Sequence, residues 1–434
     1  MSARICGYSL LLVAGLFSLP PLLAASQEPE PAEATATSGC TTSSATAAAV
    51  GSIGFRHPLA SGNGKKVVVG RDHRLHLVYA DANKIFYVSS ADGVTWSPPL
   101  LLAGVAGQVR AEPTIAVDGA GTLGVAFDDP TGARLYYMYR TYQAATFSAP
   151  VQILNQPATQ PSLVGAGTRM HLAFVDAFGV YYTAFPSTSP GTPIVRALDY
   201  TTICATNTQF TQPSVAVLVP PCGGTPVIRV GYLYFTDERQ NPYGCPHPNV
   251  TNGAFVQDDQ GNYIYSNAIT TANPPAGTSI YGVSLSLTAD SARFYLAWSD
   301  VYGTARTMLA RGTPAGNWST TNVDLVASSV DVAAEAGAND FRLTWAHVVP
   351  GYDALYYHEG AWPANSGLPI WSGSVLPVTL FGATNPQTVF WRRCGGGALA
   401  SVIALYEGTG TGLRSHVRRC PSSCPATWIV DSGC

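Results

Sequence analysis

Leu75-His76-Leu77-Val78-Tyr79-Ala80-Asp81 is the stretch on which the reading of this chain turns. It alternates large apolar residues with smaller or polar ones at period two and closes on a carboxylate, the pattern of a β-strand running into a turn. Six further stretches share its pattern and polar end. They are GVAFDD ending at Asp129, MHLAFVD at Asp176, GYLYFTD at Asp237, FYLAWSD at Asp300, FRLTWAH at His347 and SVIALYE at Glu407. The polar ends are spaced by 48, 47, 61, 63, 47 and 60 residues. A period near 47 that tolerates insertions is the mark of a propeller, whose repeating unit is a four-stranded sheet.

The remaining strands fall into register around that one. Ahead of it lies a first strand: VVVG at 67–70, TIAVD at 114–118, SLVG at 162–165, SVAVLV at 214–219 and SLSLTAD at 284–290. A third strand follows, carrying aromatics in IFYVSS, LYYMYR, VYYTAF, YIYSNA and LYYH. A fourth appears in several copies, as in WSPPLLL from Trp96 and FSAPVQIL from Phe147. The predicted fold is all-β: a seven-bladed propeller of four-stranded antiparallel blades, with six blades as the alternative. Long insertions are expected at 238–263 and 349–353, on one rim.

Composition bounds the setting. Met1 and Arg4 precede an apolar run from Tyr8 to Ala25, closed by Ala24, Ala25 and Ser26, which reads as a secretory signal over 1–26. Residues 27–50 are nearly all Ala, Thr, Ser, Pro and Glu, with little to bury, and are expected to be a disordered leader. The propeller is expected over 51–434. Charged residues are 11% of the chain and the formal charge of −3 becomes −4 without Arg4, so no basic face invites a nucleic acid. No later segment approaches eighteen uninterrupted apolar residues, so no membrane span is expected. The expected location is extracellular or periplasmic, and the expected state a monomer.

Of nine cysteines, Cys6 leaves with the signal. The rest are Cys40 and two groups: Cys204, Cys222 and Cys245, then Cys394, Cys420, Cys424 and Cys434. An even number in an exported chain favours disulfides, and zinc spacing is missing. Connectivity cannot be read from spacing.

Between the third and fourth strands of the first copy stands Ser90-Ala91-Asp92-Gly93-Val94-Thr95-Trp96. Its Asp can accept backbone N–H bonds across a turn, its Gly can take positive φ, and its Trp can pack between strands. Ser422-Ser423-Cys424-Pro425-Ala426-Thr427-Trp428 repeats the Ser, Thr and Trp spacing, and Gly316-Asn317-Trp318-Ser319 keeps a fragment. With Ser90, Asp92, Gly93, Thr95 and Trp96 the chain resembles the Asp-box, or bacterial neuraminidase repeat, propellers of the sialidase-like superfamily. The resemblance implies a structural role for the box, on the face away from the ligand. Phe55-Arg56-His57-Pro58 is similar to the family's Phe/Tyr-Arg-Ile-Pro motif, which makes Arg56 the candidate catalytic residue. Sialidase chemistry needs three arginines, an acid/base aspartate and a Tyr–Glu pair. Arg229, Arg239, Arg293 and Arg342 sit in no matching motif, and Asp72 and Asp81 suit turns equally well.

The seven polar strand ends, Asp81, Asp129, Asp176, Asp237, Asp300, His347 and Glu407, have two readings. They cap the turns that follow, or they form a ring on the ligand face. Such a ring, with neighbouring Tyr and Trp, suits sugar hydroxyls. No cofactor is required, although hard carboxylate oxygens can hold calcium, a reading that His347 weakens. Tyr136-Tyr137, Tyr181-Tyr182 and Tyr356-Tyr357 suit core packing before a sugar platform, and His76 and His171 suit packing before metal ligation. No hydrolase elbow, zinc helix or phosphate loop is present. Asn249 and Asn317 open glycosylation sequons. The expected function is non-catalytic binding of a glycan or extracellular protein. A sialidase-type exo-glycosidase is the first alternative and an interaction scaffold the second.

Overall fold

The structure is a computed structural model. It describes residues 41–45, 64–81, 84–93, 95–104, 112–129, 134–200, 208–220, 224–237, 249–272, 284–300, 306–324, 329–334, 340–349, 352–363, 366, 368–379, 383–393, 399–408 and 412–421. Seven four-stranded antiparallel sheets are formed by these residues. Sheet 1 is Val67–Val69, Leu75–Asp81, Lys84–Ser90 and Leu100–Gly104. Sheet 2 is Thr114–Val117, Leu123–Asp129, Arg134–Arg140 and Val151–Leu154. Sheet 3 is Thr159–Ala166, Arg169–Val175, Gly179–Pro186 and Arg196–Tyr200. Sheet 4 is Thr208–Leu218, Val227–Asp237, Asn249–Gln257 and Tyr263–Ala272. Sheet 5 is Ser284–Ala289, Phe294–Asp300, Arg306–Gly312 and Trp318–Asp324. Sheet 6 is Ser329–Ala334, Asp340–Val349, Tyr352–Ala361 and Ile370–Thr379. Sheet 7 is Ala383–Arg393, Leu399–Gly408, Gly412–Pro421 and, on its outer edge, Thr41–Ala45.

Sheets 1 to 6 are meanders, sheet 7 is one completed by Thr41–Ala45, and each first strand neighbours the first strands of the sheets before and after it in the chain. The first strand of sheet 7 returns to that of sheet 1. That order is a propeller's. The core is not one body but a series of seams between sheets. Val78 and Ile85 of sheet 1 meet Ile115, Leu123, Val125 and Phe127 of sheet 2. Tyr137 of sheet 2 meets Leu172, Phe174 and Phe185 of sheet 3. Similar apolar layers join sheets 3 and 4, 4 and 5, and 5 and 6. Second strands read as near-continuous apolar runs because both their faces are covered, as in Leu75–Asp81 and Leu123–Asp129.

A second device repeats on the first strands. One polar side chain of each sheet takes a backbone N–H of the next sheet. Thr114 Oγ1 accepts from Leu163 at 3.4 Å, Ser162 Oγ from Val215 at 3.0 Å and Ser214 Oγ from Leu287 at 3.0 Å. Ser286 Oγ accepts from Val332 at 3.3 Å, Asp331 Oδ2 from Thr388 at 2.5 Å and Gln387 Oε1 from Lys66 at 2.8 Å. Between sheets 1 and 2 the backbone suffices, Ile115 donating to the Lys65 carbonyl at 2.9 Å. At Gly165 the approach between sheets 2 and 3 is so close that a Cβ would lie 2.2 Å from the Val117 carbonyl oxygen. Lys65 reaches past sheet 7 to the first strand of sheet 6: its Nζ donates to Asp331 Oδ1 at 2.6 Å and to the Val332 carbonyl at 2.8 Å.

Three expectations are corrected. Tyr263–Ala268, read as a third strand, begins the fourth strand of sheet 4, and the third strand lies inside the expected insertion at Asn249–Gln257. That strand buries the small Ala254 beside Val256, carries Phe255 on its other face and opens on Asn, Val, Thr, Asn and Gly, so its pattern is faint. The expected insertion at 349–353 is a tight hairpin, with Val349 opposite Tyr352. The 27–50 leader contributes a strand, because an edge strand such as Thr41–Ala45 needs backbone pairing rather than apolar side chains.

Asp331 is buried and carries Lys65, Thr388 and Ser286, the last by a very short contact. Asp331→Ala strands a lysine and a backbone donor, and is expected to cost about 3–5 kcal/mol. Ser162→Ala, which strands one backbone N–H, should cost nearer 1 kcal/mol. Urea unfolding of both variants checks the order, and equal costs would remove the special place given to Asp331.

Candidate functional site

The box turn forms as its residues require. Asp92 Oδ1 accepts from the Thr95 N–H at 2.6 Å and from the Ser90 hydroxyl at 3.0 Å. Ser90 Oγ in turn accepts the Gly93 N–H at 2.8 Å, and Gly93 takes φ of +73°. Trp96 is buried and bridges to Ser90. The turn lies where third strand passes to fourth, which is also where the first strand turns into the second. Second strands end at the opposite end of the sheets.

The seven polar strand ends divide. Thr114 pairs with Ala126, Ser162 with Ala173, Ser286 with Ala297 and Asp331 with Thr344. Asp129, Asp176, Asp300 and His347 each stand three residues past those partners. Asp81 stands three past Val78, which donates to Lys66. Asp237 and Glu407 are out of that register. Ser214 pairs with Gly231, whose third follower is Tyr234, and Gln387 pairs with Leu405, two residues before Glu407. Asp176 is a turn cap: its Oδ1 accepts from Phe178 at 2.7 Å and Gly179 at 2.9 Å. The side chains of Asp237, Asp300, His347 and Glu407 lie outside the described residues, as do Arg56 and Cys204, Cys222, Cys245, Cys394, Cys424, Cys434 and the Cys420 side chain. Among the described residues no group of three His, Cys, Asp or Glu is placed to hold a metal ion, and no helix is long and apolar enough to cross a membrane.

At that end, near the axis, a buried carboxyl pair appears that sequence reading missed. Asp128 Oδ1 accepts the Glu112 N–H at 2.6 Å. Burial, and then the Glu112 charge, push Asp128 far above the usual carboxylate range against the opposing pull of Lys66. Glu112-Pro113-Thr114, Gln160-Pro161-Ser162, Gln212-Pro213-Ser214 and Asn385-Pro386-Gln387 are one repeated motif, and that repetition was the available signal.

The box end carries the open site. Tyr137 Oη donates to the Ser187 carbonyl at 2.8 Å, and Arg196 Nη1 to Asp259 at 2.6 Å. Arg229 Nη2 donates to Pro314 at 2.6 Å, and Arg311 Nη1 to Trp362 and Pro363 at 2.6 and 2.7 Å. In each case a long side chain of one sheet closes the seam onto the third-to-fourth loop of the next, from sheets 2 and 3 through sheets 5 and 6. Between sheets 1 and 2 the corresponding cation points the other way. Arg140, at the end of the third strand of sheet 2, turns back and donates to Tyr87 Oη of sheet 1 at 2.9 Å. A cleft of about 290 Å³ remains, lined by Arg71, Asp72, Arg74, His76, Arg140 and Tyr142 among others. Its far wall is the 140–147 loop, in which Gln143 holds φ of +68°, a costly conformation for a residue with a Cβ.

The polar groups of the cleft form one polarised chain. Arg140 donates to Tyr87, Tyr87 to His76 Nδ1 at 2.6 Å, and His76 Nε2 to Asp72 Oδ1 at 2.9 Å. Burial lowers His76 below its ordinary value despite the hydrogen bond and charge of Asp72, so the ring is neutral and this tautomer follows. Burial opposes ionisation of Asp72, but the hydrogen bond from His76, with help from the Arg74 backbone N–H and the Arg140 charge, leaves its carboxyl below the usual range. His171 and Tyr182 repeat the His–Tyr contact at 2.7 Å in sheet 3, where burial pushes His171 to about 4. The His–Tyr pair is thus packing, as expected, and its extension to Asp72 and Arg140 belongs to sheet 1.

The fold and site define a propeller with an open polar seam. No family model matches this chain, and no curated protein is similar to it. Among solved structures it is similar to the polysaccharide lyase Uly1, at 10% identity over 85% of this chain and 91% of that one, with a TM-score of 0.49. It is similar to the α-L-arabinofuranosidase Arb93A of Fusarium graminearum at 13% identity, over 78% and 98% of the two chains, with a TM-score of 0.40. The intramolecular trans-sialidase of Ruminococcus gnavus follows at 11%, over 87% and 99%, with a TM-score of 0.42.

A carboxyl raised by burial favours the folded state while protonated and loses that contribution as pH climbs through its folded pKa. The stability of the native chain relative to Asp128→Asn should therefore fall as pH rises from about 4 into the alkaline range. A pH-independent difference in unfolding free energy would overturn that reading of the pair.

Proposed function

We propose that the seven sheets are the seven blades of one closed propeller, and that this chain is an exported binding protein that holds a glycan, without cleaving it, in the seam between sheets 1 and 2. The open seam carries the reading: four other seams are closed by donors onto the neighbouring loop, and this one keeps a cleft whose arginines spend one N–H each at most. Its Arg, His, Asp and Tyr groups suit sugar hydroxyls, and the exposed Tyr142 offers a ring to C–H surfaces. The volume is just below the usual range of about 300–1,000 Å³ for small-molecule sites, so the seat takes one residue of a longer chain.

Non-catalysis is supported by the sequence, in which Arg229, Arg239, Arg293 and Arg342 sit in no sialidase motif beside Arg56. Export is supported by the apolar start and the even set of cysteines, with disulfides as the corollary. The state is monomeric and no cofactor is required. A glycosidase of sialidase type is the second reading, favoured by the Glu112–Asp128 pair, in which a neutral carboxyl could donate a proton. Turnover of a fluorogenic sialoside, abolished by Arg56→Ala, would establish it.

Ala144 lines the cleft from an exposed loop. On a glycan array the native protein should bind, and Ala144→Trp, which fills the seat, should lose at least about tenfold in affinity with its unfolding temperature unchanged. Undiminished binding by that variant would place the ligand elsewhere.

A further inference from the structure

The geometry points to a carboxylate-bearing sugar, a uronate residue of an acidic glycan, as what the seam between sheets 1 and 2 holds; this rests on the seam being the ligand seat. Arg71, Arg74 and Arg140 line the cleft beside one carboxylate, Asp72. Among the described residues Lys65–Asp331 is a charged pair and Asp72 is taken up by the neutral His76 ring, and none of the three guanidiniums pairs with an acid. The chain as a whole is acidic, at −3, so a local excess of cations is not a background property.

The arrangement of those cations also matters. Arg140 is fixed, its guanidinium 5.0 Å from the centre of the Tyr87 ring and 5.1 Å from that of Phe147, with one N–H spent on Tyr87. Arg71 lies 5.4 Å from the centre of the Tyr142 ring. Rings hold both side chains in place and use their π faces, leaving edge N–H groups for an acceptor. A planar carboxylate matches that two-pronged edge better than a tetrahedral sulfate does. The Asp72–His76–Tyr87 chain polarises toward the cleft wall and excludes a second anion close to it, so the seat suits one charge per sugar.

In closing seams elsewhere, the same residue type is consumed. Arg229 and Arg311 donate to carbonyl oxygens of the adjoining sheet. At the first seam Arg71 makes only a long, exposed contact of 3.5 Å to the Ala120 carbonyl and Arg140 gives one N–H to Tyr87, so most of their edge N–H groups are left for an anion from outside.

Titration calorimetry with oligogalacturonate, sulfated dextran and uncharged dextran tests this. Oligogalacturonate should bind, more weakly as salt rises. Arg74→Gln and Arg140→Gln should each weaken it at least about tenfold. Arg74→Gln touches no ring stack, so it remains readable if Arg140→Gln unfolds. Equal binding of uncharged dextran, or binding of sulfated dextran with none of oligogalacturonate, would overturn the carboxylate assignment and leave the seam as a glycan seat. Binding of oligogalacturonate that Ala144→Trp leaves intact would remove the seam itself.

Discussion

The closure of first strand onto first strand is the constraint from which the rest follows. Each sheet buries nothing by itself, and its apolar faces are covered only by the sheets on either side. Energetically the seams dominate, since each fully buried Leu, Val or Phe is worth about 1.5–3 kcal/mol and a latch hydrogen bond about 1 kcal/mol. Geometrically the latches decide. A one-residue slip of a first strand would turn its polar residue from the neighbouring backbone to the wrong side. Ser162, Ser214 and Ser286 make that contact with a hydroxyl, and Gln387 makes it to Lys66 with a longer side chain.

Much of this was legible in the sequence. Second strands stood out because both faces are buried, and the repeat followed from them. The box turn was readable from Ser90 to Trp96 because its chemistry is local. The third strand of sheet 4 was not, since Ala254-Phe255-Val256 is a short apolar run behind Asn, Thr and Gly with no period-two alternation. Nor was the edge strand Thr41–Ala45, whose backbone pairs with the far end of the chain. The ring of polar strand ends was read in one register, and five of its members keep it. Asp237 and Glu407 do not, because insertions and strand irregularities shift pairing without altering the apparent motif.

The site was the least legible part. Arg71, Asp72 and Arg74 fall in an ordinary-looking turn, and Arg140 ends a strand 69 positions past the polar network's first arginine, Arg71, in another sheet. Nothing in either segment marks the other. What joins them is the ring order, which sets the first-to-second turn of sheet 1 beside the third-to-fourth turn of sheet 2. The same juxtaposition occurs at each seam, so position alone distinguishes none of them.

What distinguishes this seam is the direction of one side chain. Where Arg196, Arg229 and Arg311 reach forward onto the next loop, Arg140 reaches back to Tyr87, and Tyr87 passes the polarisation through His76 to Asp72. A forward-reaching cation is satisfied by a carbonyl and closes its seam. A backward-reaching one satisfies a phenol oxygen with a single N–H and leaves the rest of its edge facing an opening. The opening is walled by residues 140–144, whose Gln143 sits in a conformation that costs energy without a described contact to offset it. Strain kept in a loop beside unspent guanidiniums is what separates a built cleft from a packing fault.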